Sequence, residues 1–248
     1  MKYNSIPIIL LDKPINNPKS VSKLKSFQPD LLVSILGNQI FKAPILNLAP
    51  KGCINLHTAL LPKYRGLMPS FWVMKNNEIK TGVSVFFVDE GIDTGDIISQ
   101  KVYPINDDDN YSTLLNRAFV GCADLLFETL QSFKDNSFTR TNQSKLHPVG
   151  FYCGGRGMGD EIIDWNNTSR DIFNFIRSIS KPGPVARTFN GNKEVKINNS
   201  NYMKDAPIYI GTVGQVLSKT ENGFLIKTKD SFIEVFDIEG KLRVGDKL

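Results

Sequence analysis

The stretch of sequence that decides how this chain folds is CINLHTALLPKYRG, residues 53–66. A short apolar run gives way there to a loop that contains Pro62 and Gly66, and Asn55 and His57 lie two residues apart at the change. In an extended segment, side chains two residues apart point to the same side, so the amide and the imidazole are predicted to share one face. A loop after a buried strand is also where a rigid scaffold presents polar groups. We therefore predict that the chemistry of the protein lies here.

A second polar segment, GIDTGD at residues 91–96, complements the first. It joins two β-rich runs, residues 81–89 and 96–104, and it places Asp93 and Asp96 on the connection. The histidine of the first segment, taken alone, would more often be structural than catalytic. The amide beside it and this pair of carboxylates favour a catalytic role.

The segments before the first motif fit an α/β fold. Residues 31–36 form an apolar run without alternation, which is typical of a strand buried on both faces of a parallel sheet. The loop at residues 37–39 follows the carboxyl end of that strand, where ligands bind in open α/β sheets. Residues 6–11 are predicted to form a further strand, and residues 20–27 have the three-to-four spacing of a short helix.

The pattern changes in the second half of the chain. Apolar residues follow helical spacing from 110 to 133, and a polar, glycine-rich segment comes next. Thr168 begins a capping-box sequence before a short helix, and the β-rich segments after it predict a small antiparallel barrel or sandwich. We therefore predict a catalytic domain over residues 1–150, a linker over residues 151–160, and a helix with a small β module over residues 161–248.

The composition sets further limits. The chain is 41% hydrophobic and 22% charged, as soluble globular proteins are, and apolar runs such as residues 8–11 are too short to span a bilayer. The three cysteines, Cys53, Cys122 and Cys153, are odd in number and widely spaced, so neither a disulfide framework nor a metal site is predicted. The first residues form a poor signal peptide, and we therefore expect a cytoplasmic protein.

The formal net charge of +5 raises the question of nucleic-acid binding. Surfaces that follow a phosphate backbone usually carry clustered basic residues. Here the basic and acidic residues are interspersed, so the sequence predicts an ordinary solvated surface and no strongly basic face in the second half of the chain.

Two motifs carry a resemblance to a known family. The first is Asn-x-His-x-x-Leu-Leu-Pro-x-Tyr-Arg-Gly at residues 55–66, and the second is Asp-x-Gly-Ile-Asp-Thr-Gly-Asp-Ile at residues 89–97. Together they resemble the formyltransferases that use 10-formyltetrahydrofolate, a family that includes methionyl-tRNA formyltransferase and the amino-sugar N-formyltransferases. The similarity is strong over residues 28–130 and weaker beyond. It implies a Rossmann-like α/β fold with a mostly parallel sheet, followed by a C-terminal module like a small β-barrel.

Carried over by position, the catalytic residues of the family are Asn55, His57 and Asp93. The resemblance implies that Asn55 donates a hydrogen bond to the oxygen of the formyl group as negative charge develops there. It implies that His57 polarises the carbonyl and moves the proton, while Asp93 orients the ring or accepts the proton. Asp96 is then expected to be a turn or capping residue. Arg65 is left with two interpretations, since it could bind an anionic substrate or the carbonyl groups of its own loop.

The resemblance also implies a slot for the pterin of the folate, formed largely by the backbone of two loops. No metal is implied, and the co-substrate is 10-formyltetrahydrofolate. The cofactor-binding candidates are Asn38, Gln39 and Ile40 in the first loop, and Val88, Asp89, Glu90, Gly91 and Ile92 in the second.

Two departures from the family pattern bear on these expectations. Ala59 stands where the family usually has serine, which removes a hydroxyl group near the site. The sequence also begins at what looks like the third strand of the family's sheet. Either the sequence is incomplete at its N-terminus, or the protein has a reduced domain with an N-terminally shortened sheet. Loss of the first strands would expose a sheet edge, which is a liability for association, and would remove loops that help to hold the amine.

Three functional hypotheses follow. The first is an enzyme that formylates a small primary amine on a nucleotide-linked amino sugar, and the second is a methionyl-tRNA formyltransferase, with tRNA as its partner. The third is a degenerate homologue that binds folate without catalysis. The sequence leaves open which amine is modified and whether the protein forms a homodimer, and it indicates no membrane partner.

Overall fold

The computed structural model describes residues 2–3, 6–12, 14–37 and 39–248. The chain divides into two compact units, and each is described by itself. The first unit is made of residues up to 65 together with 82–101 and 121–152, and the second is made of residues 66–81, 102–120 and 153–248. The predicted domain boundaries near residues 150 and 160 remain a prediction.

The chain forms five α-helices and thirteen strands within the described residues, with one 3-10 helix at Gln143–Lys145. No helix in this part of the chain is long and apolar enough to cross a membrane. The helices are α1 (Pro18–Lys25), α2 (Ala43–Leu46), α3 (Pro69–Lys75), α4 (Tyr111–Lys134) and α5 (Ser169–Ser178). The strands are β1 (Lys2–Tyr3), β2 (Ile6–Pro7), β3 (Leu32–Ile35), β4 (Cys53–His57), β5 (Arg65–Gly66), β6 (Lys80–Phe87), β7 (Ile97–Pro104), β8 (Tyr152–Cys153), β9 (Ala186–Asn190), β10 (Lys193–Asn201), β11 (Val216–Lys219), β12 (Gly223–Lys227) and β13 (Phe232–Glu239).

A four-stranded sheet in the order β3-β4-β6-β7 organises the first unit. Strand β4 pairs in parallel with β3 and antiparallel with β6, so the sheet is mixed. All five residues of β4 are buried, because the strand has a neighbour on each side and covered faces. Side chains at the end of this strand are therefore held on a rigid support.

Strand β3 confirms the predicted strand over residues 31–36, but the prediction that it is buried on both faces is wrong. Val33 and Ile35 are 39% and 62% exposed, and the exposure alternates along the strand. Among the described residues β3 pairs only with β4, and it forms an outer strand of the sheet. One of its two faces consequently stays open to solvent.

The strand predicted over residues 6–11 is shorter in the structure. Only Ile6–Pro7 is a strand, and it pairs antiparallel with Lys2–Tyr3. Ile8 and Leu10 lie beyond it and are 60% and 88% exposed. An apolar sequence forms a buried strand only where it can pair with a neighbouring strand of a sheet. Within the described residues, the segment after Pro7 has no such neighbour.

Helix α4 confirms the element predicted over residues 110–133. Its buried positions keep the three-to-four spacing of a helix with one face on a core, although Phe119 and Leu130 of the predicted stripe are exposed at 46% and 38%. The buried apolar residues of α4 are Leu114, Ala118, Cys122, Leu125 and Phe133.

The second unit contains a five-stranded antiparallel sheet in the order β11-β12-β13-β10-β9. Helix α5 begins after Thr168, whose side-chain oxygen accepts a hydrogen bond from the N–H of Asp171, as the predicted capping box requires. The apolar side of α5, with Ile172 and Ile176, packs on this sheet in a shared core. The predicted α/β fold with a C-terminal antiparallel β module is therefore confirmed.

Candidate active site

Asn55 and His57 lie at the carboxyl end of β4, and both are buried, with 8% and 6% of their surface exposed. As predicted from their spacing, they share one face of the strand. The N–H of Gly37, in the loop after β3, donates a hydrogen bond of 3.4 Å to Oδ1 of Asn55. Because a backbone N–H can only donate, this contact orients the amide and leaves Nδ2 as its free donor. Within the described residues, Nδ2 donates to no protein group.

The ring of His57 is held by a backbone carbonyl. Its Nε2 lies 2.7 Å from the carbonyl oxygen of Tyr64, and since a carbonyl only accepts, the hydrogen is assigned to Nε2. In the neutral ring Nδ1 therefore carries the lone pair. Nδ1 faces Oδ2 of Asp93 at 3.6 Å, a distance too long for a hydrogen bond but close enough for strong electrostatic attraction if the ring is protonated.

Burial controls the protonation of His57. The loss of solvent lowers the pKa of the ring below its ordinary value of 6.5, while Asp93 and the Tyr64 carbonyl act in the opposite direction. Burial disfavours the charged form because a protein interior solvates it poorly. At neutral pH the ring is consequently neutral, and its Nδ1 can accept a proton.

Asp93 reaches the histidine by a route that the sequence did not predict. Strand β6 runs antiparallel to β4, so the loop that follows it begins at the opposite end of β4, where the N–H of Val88 donates to the carbonyl of Cys53. The loop then folds back, and Asp93 meets His57 at the other end of the strand. The three predicted catalytic residues thus lie together within the first unit.

The Asp93 loop is shaped by its own polar side chains and by a glycine. Oδ1 of Asp89 accepts hydrogen bonds from the N–H of Gly91 and from Oγ1 of Thr94. Asp93 has a positive φ of 53°, a conformation that residues other than glycine rarely adopt. A Cβ atom at Gly95 would collide with the carbonyl oxygen of Phe87, so only glycine fits there.

Gln143 is a site residue that the sequence analysis missed. It is 2% exposed, and its Nε2 donates to the carbonyls of Asp93 and Gly95, each at 2.8 Å. Its Oε1 accepts from Nε and Nη2 of Arg65, at 3.0 and 2.6 Å. Gln143 lies in the polar segment that follows residue 133, and nothing in the local sequence distinguishes it from a surface glutamine.

Arg65, Asp96 and His147 have partners within the first unit. Arg65 is 8% exposed, and besides Gln143 it donates to the carbonyl of Val149 at 3.4 Å, which favours the interpretation that it binds local protein groups. Oδ1 of Asp96 accepts from Nδ2 of Asn142 at 3.2 Å, in keeping with a structural role. Nδ1 of His147 accepts from the N–H of Gly150.

The folate-binding candidates follow β3 and β6. Asn38 lies outside the described residues. Gln39 accepts a hydrogen bond from the N–H of Ile15 at 2.9 Å, and the carbonyl of Ile40 accepts from Nδ2 of Asn16 at 2.7 Å. In the second loop Val88 is half-buried and the other candidates, Asp89, Glu90, Gly91 and Ile92, are exposed. Their role in folate binding remains a prediction.

The described part of the chain contains no group of three or more His, Cys, Asp or Glu residues placed to hold a metal ion. The groups that lie at the carboxyl end of β4 are an amide donor, a neutral imidazole and a carboxylate. Such a set can stabilise a developing oxyanion and transfer a proton.

Comparisons with known proteins agree with this chemistry. The family described as "Formyl transferase" matches residues 11–127, and "Formyl transferase, C-terminal domain" matches residues 158–244. The methionyl-tRNA formyltransferase of Thermodesulfovibrio yellowstonii is 34% identical over 223 residues, which are 89% of this chain and 70% of the relative.

The solved structures that resemble this one include two with a bound folate compound. The N-formyltransferase of Helicobacter canadensis, in complex with folinic acid and dTDP-3-aminofucose, has a TM-score of 0.67 and 27% identity, over 84% of this chain and 73% of that chain. HypX from Aquifex aeolicus, in complex with tetrahydrofolic acid, has a TM-score of 0.66 and 18% identity over 91% of this chain. The match spans only 38% of HypX, and that likeness is one of fold.

Proposed function

This chain belongs to the formyl transferase family, and we propose that it transfers the formyl group of 10-formyltetrahydrofolate to a primary amine. The observation that carries the proposal is the placement of two groups on one face of a buried strand. They are an amide donor, Nδ2 of Asn55, which donates to no protein group in the described part of the chain, and an imidazole acceptor, Nδ1 of His57. When bound, 10-formyltetrahydrofolate supplies an electrophilic carbonyl carbon. The remaining chemistry is done by side chains of this chain.

Asn55 stabilises negative charge. Attack of an amine on a carbonyl carbon moves charge onto the carbonyl oxygen, and Nδ2 is a fixed donor in a site from which water is largely excluded. One such donor contributes on the order of a hundredfold to a thousandfold in rate. The contact of Oδ1 with the N–H of Gly37 holds the amide in the required orientation.

His57 accepts the proton that the attacking nitrogen loses. Because Nε2 is bound to the Tyr64 carbonyl, the proton is taken at Nδ1. The resulting imidazolium lies beside the carboxylate of Asp93, which stabilises the charge in a buried position. Asp93 therefore supports the histidine electrostatically. As the new C–N bond forms, the C–N bond to tetrahydrofolate breaks, and the proton held at Nδ1 of His57 passes to the departing nitrogen, so no covalent bond to the protein is needed.

For the folate itself we propose the two loops named above, with Gln39 and Ile40 on one side and residues 88–92 on the other. The carbonyl and N–H groups of exposed loop backbone suit the donor and acceptor pattern of a pterin. The binding of folinic acid to the similar Helicobacter canadensis protein supports this assignment.

As the amine substrate we propose an amino group on a nucleotide-linked sugar. The Helicobacter canadensis protein was solved with such a compound. In addition, basic side chains on the C-terminal sheet lie beside carboxylates, since Lys196 is 3.2 Å from Glu239 and Arg187 is 2.8 Å from Glu194. Cations neutralised in this way are poorly suited to a phosphate backbone.

A second candidate, formylation of methionyl-tRNA, is favoured by the similarity to methionyl-tRNA formyltransferases and by the match to the C-terminal domain of the family. Contacts with tRNA phosphates release counterions, so this activity should fall steeply as salt rises. The formylation of a nucleotide-linked sugar should depend on salt much less.

The deciding experiment measures formyl transfer from 10-formyltetrahydrofolate to a panel of amino-sugar nucleotides and to charged initiator tRNA, at two salt concentrations. Turnover with an amino-sugar nucleotide, abolished by His57→Ala, is the expected result. Turnover only with tRNA would replace the first candidate by the second. Binding of folate with no transfer to any amine would contradict both and favour a non-catalytic homologue.

A further inference from the structure

The side chain of Gln143 makes four hydrogen bonds in the interior of the first unit. Its Nε2 donates both hydrogens, to the carbonyls of Asp93 and Gly95, and its Oε1 accepts from two nitrogens of Arg65. With 2% of its surface exposed, no part of the amide is left for solvent. A buried amide that uses both of its donor hydrogens and its acceptor oxygen restricts the positions of its neighbours.

The groups joined by Gln143 are those that hold His57. On one side are the two carbonyls of the loop that brings Asp93 to within 3.6 Å of Nδ1. On the other side is Arg65. It follows Tyr64, and the carbonyl of Tyr64 holds Nε2 of His57. The glutamine amide thus ties together the two segments that contact opposite nitrogens of one ring.

We propose that Gln143 is a positioning residue for formyl transfer, which sets the distance between His57 and Asp93 by tying the Asp93 loop to the Tyr64–Arg65 segment. This inference rests on the proposed function, because the importance of that distance follows from the proton transfer described above. Gln143 reaches the site only through its neighbours.

The loop needs such a support for two physical reasons. Asp93 has a positive φ, a conformation that an unsupported loop would leave. The carbonyls of Asp93 and Gly95 also point toward the interior, where they need a donor. Without the amide hydrogens of Gln143 the loop relaxes, and Asp93 moves away from the ring.

The variants Gln143→Glu and Gln143→Met test the inference. An ionised glutamate keeps the shape and the contact with Arg65 but loses both donated hydrogens, whereas methionine loses all four hydrogen bonds. Since a misplacement of about 1 Å costs on the order of a hundredfold in rate, we expect kcat to fall about tenfold to a hundredfold in both variants. KM for 10-formyltetrahydrofolate should change much less.

Gln131→Glu is the matched control. Gln131 lies on α4 in the same unit and is exposed. Its substitution makes the same chemical change at a position that does not contact the site. Its kcat should equal that of the parent protein. Equal losses in Gln131→Glu and Gln143→Glu would overturn the inference, since charge alone would then explain the effect.

A double-mutant cycle separates positioning from a general structural role. If Gln143 acts through Asp93, then Gln143→Met should lower kcat much less in an Asp93→Asn background than in the parent protein. An equal factor in both backgrounds would overturn the inference. Failure of both Gln143 variants to fold would also overturn it, because the residue would then support the fold as a whole.

A readout without turnover keeps this inference distinct from the proposed function. The chain has two histidines, so the ring signals of His57 can be assigned by NMR with His57→Ala. They should shift in both Gln143 variants and stay in place in Gln131→Glu. Shifted signals in a protein that formylates no amine would refute the proposed function and leave the positioning role standing, whereas unshifted signals would refute the positioning role.

Discussion

Strands β3 and β4 lie side by side and run parallel, with partners from Leu32 and Cys53 to Ile35 and Leu56. Their sequences are similarly apolar, yet their surroundings differ. Every residue of β4 is buried, whereas β3 exposes every second residue. The difference comes from the neighbours of each strand, because β4 lies between two strands and β3 is an outer strand of the described sheet.

The two strands differ in the same way in the roles proposed for them. The groups proposed to do chemistry stand on β4, where burial lowers the pKa of His57 and fixed neighbours orient Asn55. The first group of folate candidates follows β3, and of these Gln39 is half-buried and Ile40 is exposed. In the proposed function, a rigid strand thus holds the reacting groups beside a strand whose end is exposed.

The largest expected effect tests the difference in burial directly. Ile54 on β4 is fully buried, and Ile35 on β3 is 62% exposed. Ile54→Ala leaves a cavity and should lower the free energy of unfolding by about 2–5 kcal/mol, whereas Ile35→Ala should change it by about 0.5 kcal/mol or less. Urea unfolding of the two variants measures both values.

Equal losses of stability in the two variants would mean that β3 is as buried in solution as β4. The contrast between the strands would then be wrong. The m-value serves as a control, because an unchanged m-value indicates that the same amount of surface is exposed on unfolding in each variant.

The next effect concerns activity across the same pair of strands. Asn55 and Ser34 are register partners on β4 and β3. Asn55→Ala removes the proposed oxyanion donor, so kcat should fall on the order of a hundredfold to a thousandfold, while Ser34→Ala should leave it nearly unchanged. Steady-state formyl transfer gives both numbers.

Folate affinity is the control for this comparison. Asn55→Ala should bind 10-formyltetrahydrofolate almost as well as the parent protein, since the donor acts on charge that develops in the transition state. If kcat stays within a few-fold of the parent value, Asn55 does not stabilise the oxyanion.

The sequence predicted helices and strands well where the spacing of side chains along the chain was regular. Helix α4 spans Tyr111–Lys134 against a prediction of residues 110–133, and the spacing of Asn55 and His57 placed both on one face of a strand. The family motifs added Asp93, and the structure brings its carboxylate to His57. These features depend on residues close in sequence or on a distinctive motif.

What the sequence could not predict depends on pairing between distant segments. The exposure of Val33 is decided by which strands lie beside β3, and the path of the Asp93 loop by the antiparallel direction of β6. Gln143 contacts Asp93, which lies fifty positions before it in the sequence. No periodicity reports such a contact, because it arises only when both segments have folded.

The smallest expected effect is a pH dependence that reports the burial of the end of β4. Proton transfer needs neutral His57, and burial lowers the pKa of His57 below 6.5. Activity should therefore be level at neutral pH and fall about tenfold per pH unit only below this lowered pKa. The exposed His147 serves as the control, since His147→Gln should leave the profile of kcat unchanged.

The protonation of His57 should also change the stability of the fold, in a direction that is set by its lowered pKa. Because the pKa of His57 is lower in the folded chain than in the unfolded chain, the unfolded chain binds more protons between the two values. The stabilisation is complete above pH 6.5 and is lost as the pH falls through the folded pKa. Urea unfolding of the parent protein and of His57→Gln across this pH range measures the effect. If the parent protein gains stability relative to the variant as the pH falls, the end of β4 favours the protonated ring and the expected direction is wrong.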